Sequence, residues 1–286
     1  MIGAMRIVDP ISRTARMTAA ARALESRRPD RLFEDPFAEA LAGEEGFALG
    51  ARLAAVSQLA GASSGENPYI AIRTRAFDDF LQRAVASTGA RQVVMLAAGL
   101  DTRAFRLDWP PGTRLFELDR PEVVEAKEAH LAACGATPRC ERVTVGVDLT
   151  GPWEEALIAA SYDRSRPSVW LVEGLLPYLD RPAVESVLRK TAARAAPGAR
   201  LAADVPSQSF LDSPYVRAYL QLLASEGAPW RFGTDDPEGL FVSAGWRPTV
   251  LRPGEEGASF GRWPFPVAPR SFPGVPNVFL VLAERP

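Results

Sequence analysis

The sequence predicts an α/β protein built on a Rossmann-like, mostly parallel sheet, and three observations predict it. From Arg91 onward, short apolar runs alternate with helix-length stretches, the pattern of a parallel sheet covered by helices on both faces. The run from Gln92 stops at Ala97-Ala98-Gly99, and the polar turn Asp101-Thr102-Arg103 follows. That reads as a buried strand whose carboxyl end lets the backbone approach a ligand. The next apolar run, Arg114–Leu118, ends in Asp119 about twenty residues after the turn, where an acid can accept hydrogen bonds from both ribose hydroxyls of a nucleoside.

Taken in order, residues 1–90 read as a helical cap and residues 91–286 as the sheet domain. Ser12 is placed as the cap of a helix running through Ala19–Glu25. Asp35-Pro36 opens a short helix, because proline suits the first helical turn. Asn67-Pro68 opens a longer one, whose Ile72, Ala76, Phe77, Phe80, Leu81 and Val85 form one apolar face. Gly89 ends it. Gly61–Gly65 reads as a loop.

Strands follow at Val93–Ala97, Arg114–Leu118, Arg142–Val147, Ser168–Glu173 and Ala199–Val205. Helices are expected at Pro121–Cys134, Trp153–Ala160 and Arg181–Ala195. Residues 206–234 interrupt the alternation and read as extra helices over the strand ends. A helix Pro237–Ala244, a strand Trp246–Leu251 and a last strand Val278–Ala283 complete the sheet. The Pro-rich loop in between, with insertion bounds of about 253–275, carries Trp263, Phe265 and Phe272. Two readings stand for that loop: aromatics packed on the sheet, or a lid over a cavity.

Of the 286 residues, 47% are hydrophobic, enough for a large core. The formal net charge of −2 carries no nucleic-acid footprint. No apolar run reaches membrane-spanning length, and Met1–Arg6 has no signal-peptide core. A cytoplasmic chain is therefore expected, with Cys134 and Cys140 as reduced thiols. His130 is the only histidine and has no ligand cluster around it, so no metal site is expected. No G-x-S-x-G elbow is present for a serine hydrolase.

Acids follow successive strands at Asp119, Asp148 and Glu173, on the edge where open α/β sheets bind ligands. Each taken singly also reads as a helix cap. As a set they allow Asp119 to bind ribose, Asp148 to accept from an exocyclic adenine amine beside Leu149, and Glu173 to face a charged tail or the reacting centre.

At this point the chain resembles the leucine carboxyl methyltransferase family of S-adenosylmethionine (SAM) enzymes. The stretches that carry the resemblance are RTRAFDDFL (73–81), VVMLAAGLDTRAFRL (93–107), LFELDRPEVVEAK (115–127), VDL (147–149) and WLVEGLLPYL (170–179). TAAARALESRRPDRLFEDPFA (18–38) resembles its bacterial branch. The resemblance implies a class I methyltransferase fold with a seven-stranded, mostly parallel sheet. It implies that Arg73, or Arg75 in its place, pairs with the methionine carboxylate of SAM. Gly99 would let the backbone approach the methionine moiety, with Ala97 and Asp101 also among the cofactor-binding residues; Asp119 would hold the ribose, Asp148 and Leu149 would frame the adenine, and Glu173 would lie near the amino group. The turn is Ala97-Ala98-Gly99 where the wider family has more glycine, which suits a backbone with φ below zero at the alanines.

Glu173 and Tyr178 are the candidates for aligning the acceptor. The aromatic residues Tyr215, Tyr219, Trp230, Phe232 and Trp263, with Phe265, suggest a hydrophobic small-molecule acceptor, as in natural-product biosynthesis. A carboxylate acceptor needs no general base at pH 7, whereas a phenol usually does. Scarce histidine and the family resemblance both favour methyl-ester formation. A phenolic O-methyltransferase, a nicotinamide-dependent oxidoreductase and a non-catalytic SAM-binding protein are the alternatives. Oligomeric state is not readable.

Overall fold

The computed structural model describes residues 10–59, 68–270, 272 and 274–286. Met1–Arg6, the Gly61–Gly65 loop and Asn67 lie outside the described residues, as do Ser271 and Pro273 of the Pro-rich loop.

Seven strands form one sheet: β1 (Gln92–Leu96), β2 (Arg114–Asp119), β3 (Glu141–Gly146), β4 (Ser168–Val172), β5 (Arg200–Pro206), β6 (Arg247–Leu251) and β7 (Val278–Glu284). Their order is β3-β2-β1-β4-β5-β7-β6, with β7 antiparallel to both its neighbours and the remaining pairings parallel. The order reverses between β1 and β4, and at such a switch point the loops after the two strands diverge and leave a crevice.

β1 and β4 are buried along their whole length, which explains why they read as unbroken apolar runs. Their side chains alternate between two cores. Val94, Leu96, Trp170 and Val172 pack on one face with Trp153, Tyr162 and Leu188. Val93, Met95, Val169 and Leu171 pack on the other with Ile72, Phe77 and Leu81.

The N-terminal helices are α1 (Pro10–Ser26), α2 (Ala38–Leu59) and α3 (Tyr69–Thr88). α1 is already helical at Pro10, so Ser12 falls inside the helix and is not its N-cap. The short helix expected after Pro36 is 22 residues long, broken in backbone geometry at Gly43 (φ 56°). It crosses α1 closely: a Cβ on Gly46 would lie 2.5 Å from the Arg16 carbonyl oxygen, so only glycine fits there. α3 ends at Gly89 in the left-handed conformation, as its sequence signals.

The remaining helices are α4 (Arg103–Arg106), α5 (Pro121–Ala133), α6 (Trp153–Ala159), α7 (Arg181–Arg194), α8 (Gln208–Asp212), α9 (Arg217–Ser225) and α10 (Pro237–Ser243). α8 and α9 are the extra helices after β5. α4, one turn long, was not legible, nor was the 3₁₀ turn Leu176–Tyr178. The Pro-rich loop packs on the sheet: Trp263 and Phe260 lie against the Phe77 core. Arg262 ties the same loop to the end of α1, donating to Asp30 at 2.6 Å and Glu25 at 2.8 Å.

Candidate active site

A cavity of about 380 Å³ opens at the carboxyl ends of β1, β2, β4 and β5, roofed by α1 and the start of α3. Its position follows from the strand order, and its walls come from the turns that end each strand.

The turn after β1 is strained. Ala97 has φ 54° and Gly99 has φ 47°. The expectation that the alanines keep φ below zero therefore fails at Ala97. A left-handed alanine costs about 1–2 kcal/mol, because its Cβ crowds the following carbonyl. The strain aims the Gly99 amide at β2: Gly99 N donates to Asp119 Oδ2 at 2.6 Å, and Arg120 N donates to Asp119 Oδ1 at 2.8 Å. Both carboxylate oxygens are thus fixed, and each keeps a lone pair for a ligand hydroxyl. Burial raises the Asp119 pKa above the ordinary aspartate value, against these hydrogen bonds. On the far side of the same wall, Asp148 is exposed and accepts from Thr150 N and Oγ1, both at 2.8 Å. Those bonds hold its pKa below the ordinary value. Leu149 lies beside it, half-buried on the core.

The other wall is a chain of alternating charges. Arg73, on α3, lies between Glu173 at the end of β4 (Nε to Oε1, 2.9 Å) and Asp204 near the end of β5 (Nη1 to Oδ2, 2.8 Å). Asp204 Oδ1 accepts from Gly174 N at 2.6 Å, and Oδ2 also accepts from the Tyr69 hydroxyl at 3.0 Å. Glu173 Oε2 accepts from Arg103 Nη1 at 2.7 Å. The same Nη1 binds Asp101, and Arg103 Nε donates to Asp78 at 2.6 Å. Burial would raise the pKa of Glu173 and Asp101, but the arginines outweigh it. Glu173 is held below the ordinary glutamate value by Arg103 and then Arg73, and Asp101 is held down to about 2 by Arg103. Burial would likewise lower Arg73, yet Asp204 and Glu173 raise it.

Arg75 is placed differently. Its Nη1 donates to Leu32 O at 2.7 Å and its Nε pairs with Asp79 at 2.9 Å, outside the cavity. Of the two arginines, Arg73 lines the cavity and Arg75 does not.

Aromatic side chains form the end of the cavity beyond Glu173. Tyr178, Tyr219 and Trp230 line it. Trp230 is edge-on to Tyr178 and Tyr219 at ring-centroid distances of 6.5 Å and 6.2 Å, and stacked on Phe210 at 5.6 Å. The chain after Trp230 is pinned to the 3₁₀ turn, because Arg231 N donates to Pro177 O at 2.6 Å. Four aromatics expected in the pocket do not line it. Tyr215 is 65% exposed in the connection between α8 and α9. Phe232 turns into the Trp170 core. Trp263 packs edge-on with Phe265 on the far core, where apolar burial outweighs any gain from facing an open crevice.

The sequence reading missed Arg103, Asp78 and Asp204. Asp204 carried a usable signal, an acid at the carboxyl end of a strand, the same one that marks Glu173. Arg103 and Asp78 carried none, because polar residues on a turn or a helix read as solvated until their burial is known. His130 is remote, on α5, with Nδ1 2.7 Å from Ala126 O.

Residues 15–192 match the family described as leucine carboxyl methyltransferase. A protein of Saccharopolyspora erythraea named for S-adenosyl-L-methionine-dependent methyltransferase activity is 40% identical over 90% of this chain and 90% of its own. A protein of Streptomyces coelicolor with the same naming is 39% identical over 92% of this chain and 93% of its own. Among solved structures, a DUF574 family protein from Streptomyces avermitilis has a TM-score of 0.62 at 18% identity, covering 96% of this chain and 97% of that one, a likeness of fold.

Proposed function

From a chain that belongs to the leucine carboxyl methyltransferase family and is a SAM-dependent methyltransferase, we propose that the methyl acceptor is the carboxylate of a small hydrophobic molecule. The observation that carries this is the absence, among the described residues at the aromatic end of the cavity, of a side chain set up as a base. Glu173 and Asp101 are held ionised by arginines, with pKa values below the ordinary range. A proton would leave a phenol of pKa about 10 for such carboxylates only at great cost. The phenols of Tyr69 and Tyr219 are pushed above their ordinary value, in each case mainly by burial, and stay protonated. The sole histidine is elsewhere. An acceptor that arrives already ionised needs none of these groups.

In this reading Asp119 accepts from the ribose hydroxyls, with the Ala97–Gly99 backbone beside it. Asp148 and Leu149 frame the adenine. Arg73 takes the methionine carboxylate, and Glu173 and Asp101 face the ammonium side. SAM held by these residues would supply the methyl group to an acceptor oxygen, its C–S bond breaking as the C–O bond forms and the electron pair staying on sulfur. The protein's part is alignment and exclusion of water. Tyr178, Tyr219 and Trp230 offer flat apolar walls for the acceptor body. The aromatic end also supports a biosynthetic role for the product ester.

The test is incubation with SAM and parallel panels of carboxylic acids and phenols, with products read by mass spectrometry and by base lability. Base-labile methyl esters are expected. Methylated phenols with no ester from any acid would overturn the carboxyl reading.

A further inference from the structure

Among the described residues, the charged side chains of the cavity wall and those behind it form one connected network with more carboxylates than guanidiniums. From α1 inward, Arg22 pairs with Asp35, which accepts from Thr102, and Thr102 accepts from Arg106. Arg106 and Arg103 share Asp78, Arg103 binds Asp101 and Glu173, and Arg73 joins Glu173 to Asp204. Five carboxylates thus face four guanidiniums. Asp35, Asp101 and Glu173 are each held below their ordinary pKa by these arginines, despite burial. Asp204 ends the chain, and its arginine is shared with Glu173. It lines the cavity and is 2% exposed, so solvent does little to screen its charge.

A buried excess of one negative charge calls for a cation. SAM carries one net positive charge, and methyl transfer removes the sulfonium charge and leaves a neutral thioether. We propose that this excess of carboxylate over guanidinium charge, with Asp204 as its terminal member at the cavity, sets a preference for the cationic cofactor over the neutral product. It retains SAM and favours release of S-adenosylhomocysteine. The inference rests on the reading of this cavity as the SAM site.

The experiment is calorimetric titration at fixed ionic strength with three ligands: SAM, S-adenosylhomocysteine, and sinefungin, which carries an ammonium-bearing carbon in place of the sulfonium. In the wild-type protein both cationic ligands are expected to bind more tightly than S-adenosylhomocysteine. Asp204→Asn is expected to lower the SAM to S-adenosylhomocysteine affinity ratio by about five- to tenfold, and Asp204→Glu, which keeps the charge, to retain most of it. Equal or tighter binding of S-adenosylhomocysteine by the wild type overturns the proposal, as does an equal loss of both ligands in Asp204→Asn. The wild-type comparison decides the matter should the Asn variant fail to fold. No binding of any of the three overturns the cofactor-site reading itself, and the proposal with it.

Discussion

Arg103 Nη1 donates to Glu173 Oε2 at 2.7 Å across 70 residues of sequence, and the Arg103 side chain is 2% exposed. One guanidinium therefore holds the acid at the end of β4, the acid of the β1 turn and, through Nε, Asp78 of α3.

Arg103→Met should destabilise the fold by about 3–5 kcal/mol, because it strands buried carboxylates without their partner. Arg103→Lys should recover part of this, with one ammonium unable to reach every acid in the same geometry. Urea unfolding midpoints of the three proteins measure it. A loss below about 1 kcal/mol for Met would show that the network relaxes around the gap.

Acid should unfold the protein partly through this network. Asp101 has a folded pKa of about 2 against an ordinary value of 3.8. A lowered folded pKa means the stabilisation is fully present above pH 4 and is lost as pH falls from about 4 toward 2. Glu173 acts in the same sense. Asp119, raised by burial, acts in the opposite sense and flattens the upper part of the limb. Unfolding free energy measured against pH should fall in this window, and Asp101→Asn should show a shallower fall than the wild type.

Asp119→Ala should cost SAM about 10- to 100-fold in affinity, the value of hydrogen bonds to a charged acceptor. Calorimetry reads it directly. The variant also frees the Gly99 and Arg120 amides, so Asp119→Asn is the control that keeps one acceptor oxygen. Unchanged affinity in both variants would remove Asp119 from the cofactor site.

Ala97→Val should destabilise by about 1–3 kcal/mol, since a β-branched residue at φ 54° is a steric outlier. Ala97→Gly should be near neutral, with relief of strain offset by the greater entropy of the unfolded chain. Thermal melts of both variants, with and without SAM, separate strain from cofactor contact.

Trp230→Ala should raise the acceptor KM while leaving cofactor affinity within about twofold, because Trp230 lies with Tyr178 and Tyr219 at the aromatic end of the cavity. A loss of SAM affinity equal to the change in acceptor KM would assign Trp230 to the cofactor instead.

The amino-acid sequence by itself determined most of the elements and the edge of the sheet at which the cavity opens. Buried strands reveal themselves as local runs, and the link between Gly99 and Asp119 needs only two adjacent strands and their end residues. Local signals also marked Gly89 as a helix end and Glu173 as an acid at a strand end. Only the tertiary structure decided which arginine faces the cavity, which aromatics line it, and that Arg103, Asp78 and Asp204 join the wall. Arg73 meets Asp204 from 131 residues away, and Arg262 meets Glu25 from 237. A charged or aromatic residue keeps the same local pattern whether it is solvated or buried. Its partner and its burial are set by packing between distant segments, and that packing fixes its chemistry.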